Sequence, residues 1–402
     1  MELSIPSEQF ISLADQYGTP LYVYHAETIK RQYEKLTTSF SELDVRIFYA
    51  CKALTNIHVL QYVRELGSNI DCSSGNEVLL ALHAGFRPDQ ILYTSNGVDF
   101  SEIKAVAETG AFINIDSLSN LEKFGQHYGN TYPVGVRLRP NIMAGGHLKI
   151  ATGHEKSKFG IPAEQIQSIT ALITKYDLRI HTLHIHTGSD ISDAGVFMKG
   201  LEFLFDILPQ FPDVKVLDLG GGFKVPYHPS EKETNLPALA SALKAAIDQH
   251  PATKDRGLQL WFEPGKFMVS QCGYLLSKVN VLKPQQDIII AGIDTGLNHL
   301  IRPMMYEAYH HISCITSSQG ALKNYMIAGN ICETDTFAEE IELPELKEGD
   351  LLAIHNAGAY GFEMSSVYNS RYRPAEVLVK NGEATLIRKR DTFEDLLRNQ
   401  MK

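Results

Sequence analysis

A chain of 402 residues, 44% hydrophobic and 21% charged, has an ordinary globular composition and is too long for one ordinary core, so two domains, or one large barrel with an appendage, are expected. A formal net charge of -10, with no basic run beyond "IRKR", argues against nucleic acid, whose binding rests on phosphate neutralisation, and for a small-molecule partner. Apolar runs such as "DIIIAGI" fall far short of the ~20 residues of a membrane helix, and "MELSIPSEQF" lacks the basic and apolar regions of a secretory signal, so the cytoplasm is expected.

In chain order, "GTPLYVYH" reads as a strand that could join either domain. Between residues 45 and 263 eight β-rich runs follow: "VRIFYA", "SNIDCS", "QILYTS", "AFINID", "PVGVRLR", "IHTLHIH", "VKVLDL" and "LQLWFE". Most are separated by segments of helical apolar spacing, from "IHVLQYVRELG" and "NEVLLALHAG" to "LPALASALKAAIDQH", with Gly or Pro at their ends. Such alternation fits a doubly wound sheet or a TIM-type (β/α)8 barrel, and the count of eight favours the barrel. Past residue 266 the sequence turns strand-rich, with "GYLLSKVNVL", "DIIIAGI", "NYMIAG", "DLLAIHN" and "AEVLVKNGEATLIRK". Asn381-Gly382 in the last of these is a hairpin signal, because both residues accept positive φ. This half predicts an antiparallel β domain.

Barrel enzymes place their chemistry just beyond the strand ends. "IFYACKAL" sets Lys52 at the mouth of an apolar run, where an ammonium can snorkel to water or serve as a reactive, partly desolvated amine. Asp71 ends the second strand, and the sixth ends with His184, His186, Gly188 and Ser189. The seventh ends in Gly220-Gly221-Gly222, whose backbone N–H groups can converge on an anion, although a tight turn explains three glycines equally well. The eighth ends in Glu263-Pro264-Gly265-Lys266. Lysine, carboxylate, phosphate nest and imidazole together meet the needs of pyridoxal 5'-phosphate. A metal-dependent amidohydrolase is the rival from His184-x-His186, but such barrels open with that pair on the first strand, and no metal is expected. Cys51, Cys72, Cys272, Cys314 and Cys332 contain no C-x-x-C pair, so neither a disulfide framework nor a cysteine zinc site is signalled.

The ordered segments "YACKAL", "HIHTGSD", "DLGGGF", "EPGK", "IRPMMYEAYH", "CETD" and "GAYGFEMSSVYNSRYRPAEV" resemble the alanine-racemase-like fold type of pyridoxal phosphate enzymes, and within it the diaminopimelate decarboxylase family, from about residue 18 to 395. The resemblance implies a barrel over 26–265, a β domain from 1–25 and 266–402 that takes in the N-terminal strand, and a homodimer with shared active sites. It implies Lys52 as the Schiff-base lysine, Glu263 as partner of the pyridinium nitrogen and His186 stacked on the ring. Ser189, Gly221, Gly222, Gly265 and Tyr360 would surround the phosphate. Lys266, Arg302, Tyr306, Glu333 and Tyr360 would contact the substrate, and Cys332 of the neighbouring subunit would donate a proton near the α-carbon. The implied reaction takes meso-2,6-diaminopimelate to L-lysine and carbon dioxide. Two positions depart from the family pattern. Lys266 stands where many members have Arg, keeping the charge but not the bidentate fork, and Arg139 replaces a small polar residue, as a second carboxylate contact or a surface arginine. Decarboxylases of ornithine, lysine, arginine or carboxynorspermidine are the near alternatives; Arg302 and Lys266 favour a substrate with a second carboxylate. A catalytically dead regulatory homologue would not be expected to keep Lys52 and Cys332.

Overall fold

The computed structural model describes residues 2–142, 157–317 and 320–401. It divides into two units, Gln32–Val225 with Lys232–Phe267, and Met1–Arg31 with Pro226–Glu231 and Met268–Lys402. The hexapeptide 226–231 goes with the β-rich unit. There Asn356 Nδ2 donates to Pro226 O (3.2 Å), and the Tyr227 ring meets His310 edge-on at 5.3 Å. Such long-range partners leave no local pattern in the sequence.

The first unit is a closed parallel barrel of β1 (Val45–Ala50), β2 (Asn69–Cys72), β3 (Ile91–Thr94), β4 (Phe112–Ile115), β5 (Val134–Arg139), β6 (Ile180–Ile185), β7 (Val216–Asp218) and β8 (Gln259–Phe262). Each strand pairs with the next, and β8 returns to β1 in the register Leu260↔Val45, Trp261↔Arg46, Phe262↔Ile47. The two-residue strand Ile161–Pro162 adds to β5. Barrel strands are covered on both faces, which is why these runs are nearly continuous apolar sequence. Inside the barrel Phe48, Leu92, Val216 and Trp261 form a cluster, capped by the Arg46 guanidinium 5.0 Å from the Phe48 ring and 5.4 Å from that of Trp261. The loops that follow strands end in side chains that cap the next helix: Asn56, Ser74, Asp99, Ser117, Asp193 and Asn235 each accept a backbone N–H from its first turn. Of the helices between the barrel strands, one was not signalled by apolar spacing, Leu118–Tyr128, whose fully buried apolar side chains are few. It relies on close approach, since a Cβ on Gly125 would lie 2.8 Å from Tyr176.

In the second unit Leu21–His25 pairs antiparallel with Gly273–Pro284 and parallel with Ala375–Lys380, which settles the N-terminal strand in the β sheet. Ala375–Lys380 and Glu383–Arg388 form the expected hairpin, with Asn381 at φ 51° and Gly382 at φ 79°. The sheet is not wholly antiparallel: Ile289–Ile293 pairs parallel with Leu322–Ala328. Among the described residues no helix is long and apolar enough to cross a membrane.

Candidate active site

In the barrel unit, β1 gives way to a single 3-10 turn, Cys51–Ala53, that lifts Lys52 out of the core while Cys51 and Ala53 stay buried. Lys52 Nζ donates to Asp71 Oδ2 at 2.8 Å. The Asp71 side chain, at the end of β2, is 1% exposed. Burial and the nearby Glu263 charge push its carboxyl up to about 7, against the pull of Lys52. The pair holds the amine in one place without burying it.

Strands β6, β7 and β8 supply the other wall. His184 and His186 are two residues apart on β6 and its exit, so both project to the same side. They do not form a pair. Gly221 N donates to His186 Nδ1 at 3.2 Å, so the neutral ring carries its proton on Nε2. Burial holds the His186 pKa down at about 3, so the ring is neutral at physiological pH. His184 Nε2 instead lies 3.4 Å from Glu263 Oε1, and His184, Asp218 and Glu263 bring ligand atoms within 4.8 Å of one another. Burial pushes the Glu263 carboxyl up, but His184, Lys52 and His186 pull it well below its usual value. Asp218 goes the other way, raised by burial and by the Glu263 charge. Of the two carboxyls, Glu263 is thus held toward its charged form and Asp218 toward its protonated form.

The glycine turn is a close approach of backbone rather than a hinge. A Cβ on Gly221 would lie 2.4 Å from Glu263 O, and one on Gly222, at φ 108°, would lie 2.5 Å from Gly188 O. This packing brings the β6, β7 and β8 exits together at Gly188, Gly221-Gly222 and Glu263. Two features fit pyridoxal phosphate. Glu263 Oε1 is buried and, among the described residues, makes no hydrogen bond beyond its 3.4 Å approach to His184 Nε2, which leaves it able to accept from a ring N–H, and the turn keeps its backbone bare of side chains where an anion needs N–H groups.

Arg137, Asp190 and Asp218 were not singled out from the sequence. Arg137 is 7% exposed inside β5, its guanidinium 4.7 Å from the Phe159 ring. It supplies positive charge facing Glu263, Asp116, Asp71 and Asp218, while burial lowers its pKa. Its signal was an arginine at an alternate position of a buried strand. Arg139 at the end of the same strand donates to Ser157 O at 2.6 Å. Lys266 is paired with Asp190 at 2.5 Å.

The β-rich unit holds the remaining candidates. Arg302 opens the helix Arg302–Tyr306 and is 8% exposed. Its guanidinium lies 5.2 Å from the Tyr227 ring and 5.9 Å from that of Tyr306. Its Nε is buried without a hydrogen-bond partner among the described residues. Cys332 is exposed, its Sγ 3.5 Å from Tyr368 Oη and 3.2 Å from Asn369 Nδ2. Those two donors lower its pKa, Tyr368 more than Asn369. Tyr368 Oη also lies 2.8 Å from Glu333 Oε1, and its single proton serves one of the two neighbours at a time, so one tyrosine sits between both residues of the "CETD" pair. Tyr360 takes the left-handed region at φ 56°.

A parallel barrel with these strand ends is the scaffold of a cofactor-dependent amino-acid decarboxylase, and residues 26–270 match the family model "Pyridoxal-dependent decarboxylase, pyridoxal binding domain". Pyridoxal phosphate is accordingly its cofactor. Diaminopimelate decarboxylase of Methanothermobacter thermautotrophicus is 40% identical over 99% of this chain and 95% of that protein. The enzyme of that name from Aquifex aeolicus is 36% identical over 98% and 94%. The crystal structure of diaminopimelate decarboxylase from Helicobacter pylori complexed with L-lysine superposes with a TM-score of 0.88 at 30% identity, covering 97% of this chain and 98% of that one. The chain belongs to the diaminopimelate decarboxylase family.

Proposed function

We propose that the protein removes the carboxylate at the D-centre of meso-2,6-diaminopimelate, giving L-lysine and carbon dioxide, with pyridoxal phosphate attached at Lys52. The observation that carries this is similarity along nearly the whole chain to enzymes named for that substrate. When bound, the cofactor supplies a sink for the electron pair left as the Cα–carboxylate bond breaks. The chain's own groups do the rest. Lys52, held by Asp71, offers the amine for attachment. Glu263 keeps a negative charge for the ring nitrogen, and His186, neutral, packs a flat face rather than a second cation. Ser189, Gly221, Gly222 and Gly265 hold the phosphate with Tyr360.

Arg302, which has no carboxylate partner among the described residues, receives the substrate's second carboxylate beside Tyr306. Such a cation suits diaminopimelate and repels the ammonium tail of ornithine or lysine. Glu333 meets the distal amino group, and Cys332 returns the proton at the α-carbon. The working enzyme is a cytoplasmic homodimer in which Cys332 and Glu333 act on the partner's cofactor.

Carbon dioxide release from meso-diaminopimelate, ornithine, lysine and arginine, measured side by side on the yellow holoenzyme, tests the assignment. Diaminopimelate should exceed the others in kcat/KM by at least about a hundredfold, the discrimination expected of one buried charge contact. A preference for ornithine or lysine would overturn it, and borohydride should fix the cofactor to Lys52.

A further inference from the structure

Lys266 stands where a cation for the substrate's carboxylate is expected, yet the structure commits it elsewhere. Its side chain is 10% exposed, and its Nζ lies 2.5 Å from Asp190 Oδ1. Asp190 is on the exit loop of β6, in the left-handed region at φ 62°, while Lys266 opens the short helix Lys266–Val269 after β8. The same β6 loop is fastened to the glycine turn after β7: Ile191 N donates to Gly222 O at 2.8 Å, Ile191 and Phe223 form a parallel bridge, and Gly222 leaves room for Gly188 O. The ion pair thus closes the third side of one junction, joining the β8 exit to a loop already held by the β7 exit. A lysine whose charge is opposed at contact distance by a carboxylate, in a largely desolvated place, has little net charge left for another anion. Arg302, by contrast, is held over tyrosine rings, and among the described residues its Nε has no hydrogen-bond partner.

We propose that Asp190 and Lys266 form an ionic latch that sets the Gly188–Ile191 loop against the glycine turn, so that Lys266 positions the phosphate cradle rather than recognising the substrate's carboxylate. The inference rests on the assignment of that cradle to pyridoxal phosphate. It accounts for an ammonium at this position: a latch to one carboxylate oxygen needs a single charge, whereas carboxylate recognition gains from the arginine fork.

The test uses Lys266→Met, Asp190→Asn, their combination and Lys266→Arg. Asparagine tolerates the left-handed backbone, so Asp190→Asn removes charge without adding strain. Wild-type holoenzyme must first retain cofactor and release carbon dioxide from meso-diaminopimelate, and failure there counts against the proposed function. The latch is read separately, on the rate of cofactor release and on urea unfolding of the cofactor-free protein. Lys266→Met and Asp190→Asn should each speed cofactor release by about tenfold, the loss of one charged hydrogen bond, with KM for diaminopimelate changed less than about twofold. The double variant should be no worse than either single one in release and in unfolding, because the two residues act through one contact, and Lys266→Arg should restore both. A rise in KM of about tenfold for Lys266→Met, with cofactor release unchanged and Asp190→Asn silent, would make Lys266 the substrate's cation and overturn the latch. Additive effects of the two substitutions, or silence of both on cofactor release, would overturn it as well.

Discussion

At the scale of single residues, two neighbouring carboxyls of the barrel interior are pushed in opposite directions, Glu263 toward the charged form and Asp218 toward the protonated one. Asp218 Oδ1 accepts from Gly220 N at 2.9 Å, and a protonated Oδ2 can donate toward the Glu263 charge. An asparagine reproduces that state, an acceptor on one side and a donor on the other, whereas leucine reproduces neither. Asp218→Asn should therefore unfold in urea at pH 7 within about 1 kcal/mol of wild type, and Asp218→Leu should lose about 2–3 kcal/mol. Equal losses for the two would show that Asp218 is ionised. A second residue-scale prediction concerns His355, which shares a hydrogen bond with Ser313 Oγ at 2.9 Å and whose pKa is held down at about 3 by burial and by His311. The folded state resists protonation here, so the stability His355 contributes is complete above pH 6.5 and is lost as the pH falls toward 3. His355→Gln should cost stability at pH 7.5, and by pH 5 its gap to wild type should narrow by about 2 kcal/mol. A gap that stays constant in paired urea titrations would remove His355 from the acid response. Lys52, Glu263 and the glycines were legible because each breaks its local pattern. Asp218 and Arg137 were not, because a polar residue inside a short apolar strand acquires meaning only when its neighbours from other strands are known.

At the scale of elements, the eight barrel strands and the Asn381-Gly382 hairpin were readable because they rest on local rules, apolar runs and a turn that needs positive φ. The parallel pairing of Leu21–His25 with Ala375–Lys380 was not, since it joins segments more than three hundred residues apart. That pairing has an energetic consequence at its centre. Glu376 is fully buried, accepts from Tyr24 Oη at 2.8 Å and is paired with Arg388 from the strand across the hairpin, whose guanidinium also lies 4.6 Å from the Phe362 ring. Removing the arginine alone strands a carboxylate in the sheet. Arg388→Met should destabilise the protein by about 1–3 kcal/mol, less than for a fully buried pair because the Arg388 side chain is 39% exposed, and Arg388→Met with Glu376→Gln should recover most of that loss, because breaking a pair with one buried member costs more than replacing it. Thermal unfolding of the two variants decides it, and a double variant as unstable as Arg388→Met would mean that the arginine acts through its packing on Phe362.

At the scale of the whole molecule, Lys52 belongs to the barrel unit and Cys332 to the β-rich unit, and the proposed enzyme draws one from each of two subunits. Cys332 is exposed and lies beside Tyr368, Asn369 and Glu333, with Val367, Tyr368 and Tyr372 also presenting large apolar surface to solvent. An exposed thiol, proposed above as the proton donor, and exposed apolar side chains suit a surface completed by a partner chain. Lys52→Ala and Cys332→Ala should each be nearly inactive as pure preparations. When the two are mixed and allowed to exchange subunits, about half of the dimers become mixed, and each mixed dimer has one site with both substitutions and one site with neither. Activity should then return to roughly a quarter of wild type for a symmetric dimer with independent sites. Differential tags and mass spectrometry establish that mixed dimers have formed. Mixed dimers without recovered activity would place Cys332 in its own chain's site, and a protein that remains monomeric at assay concentration would remove the shared site altogether.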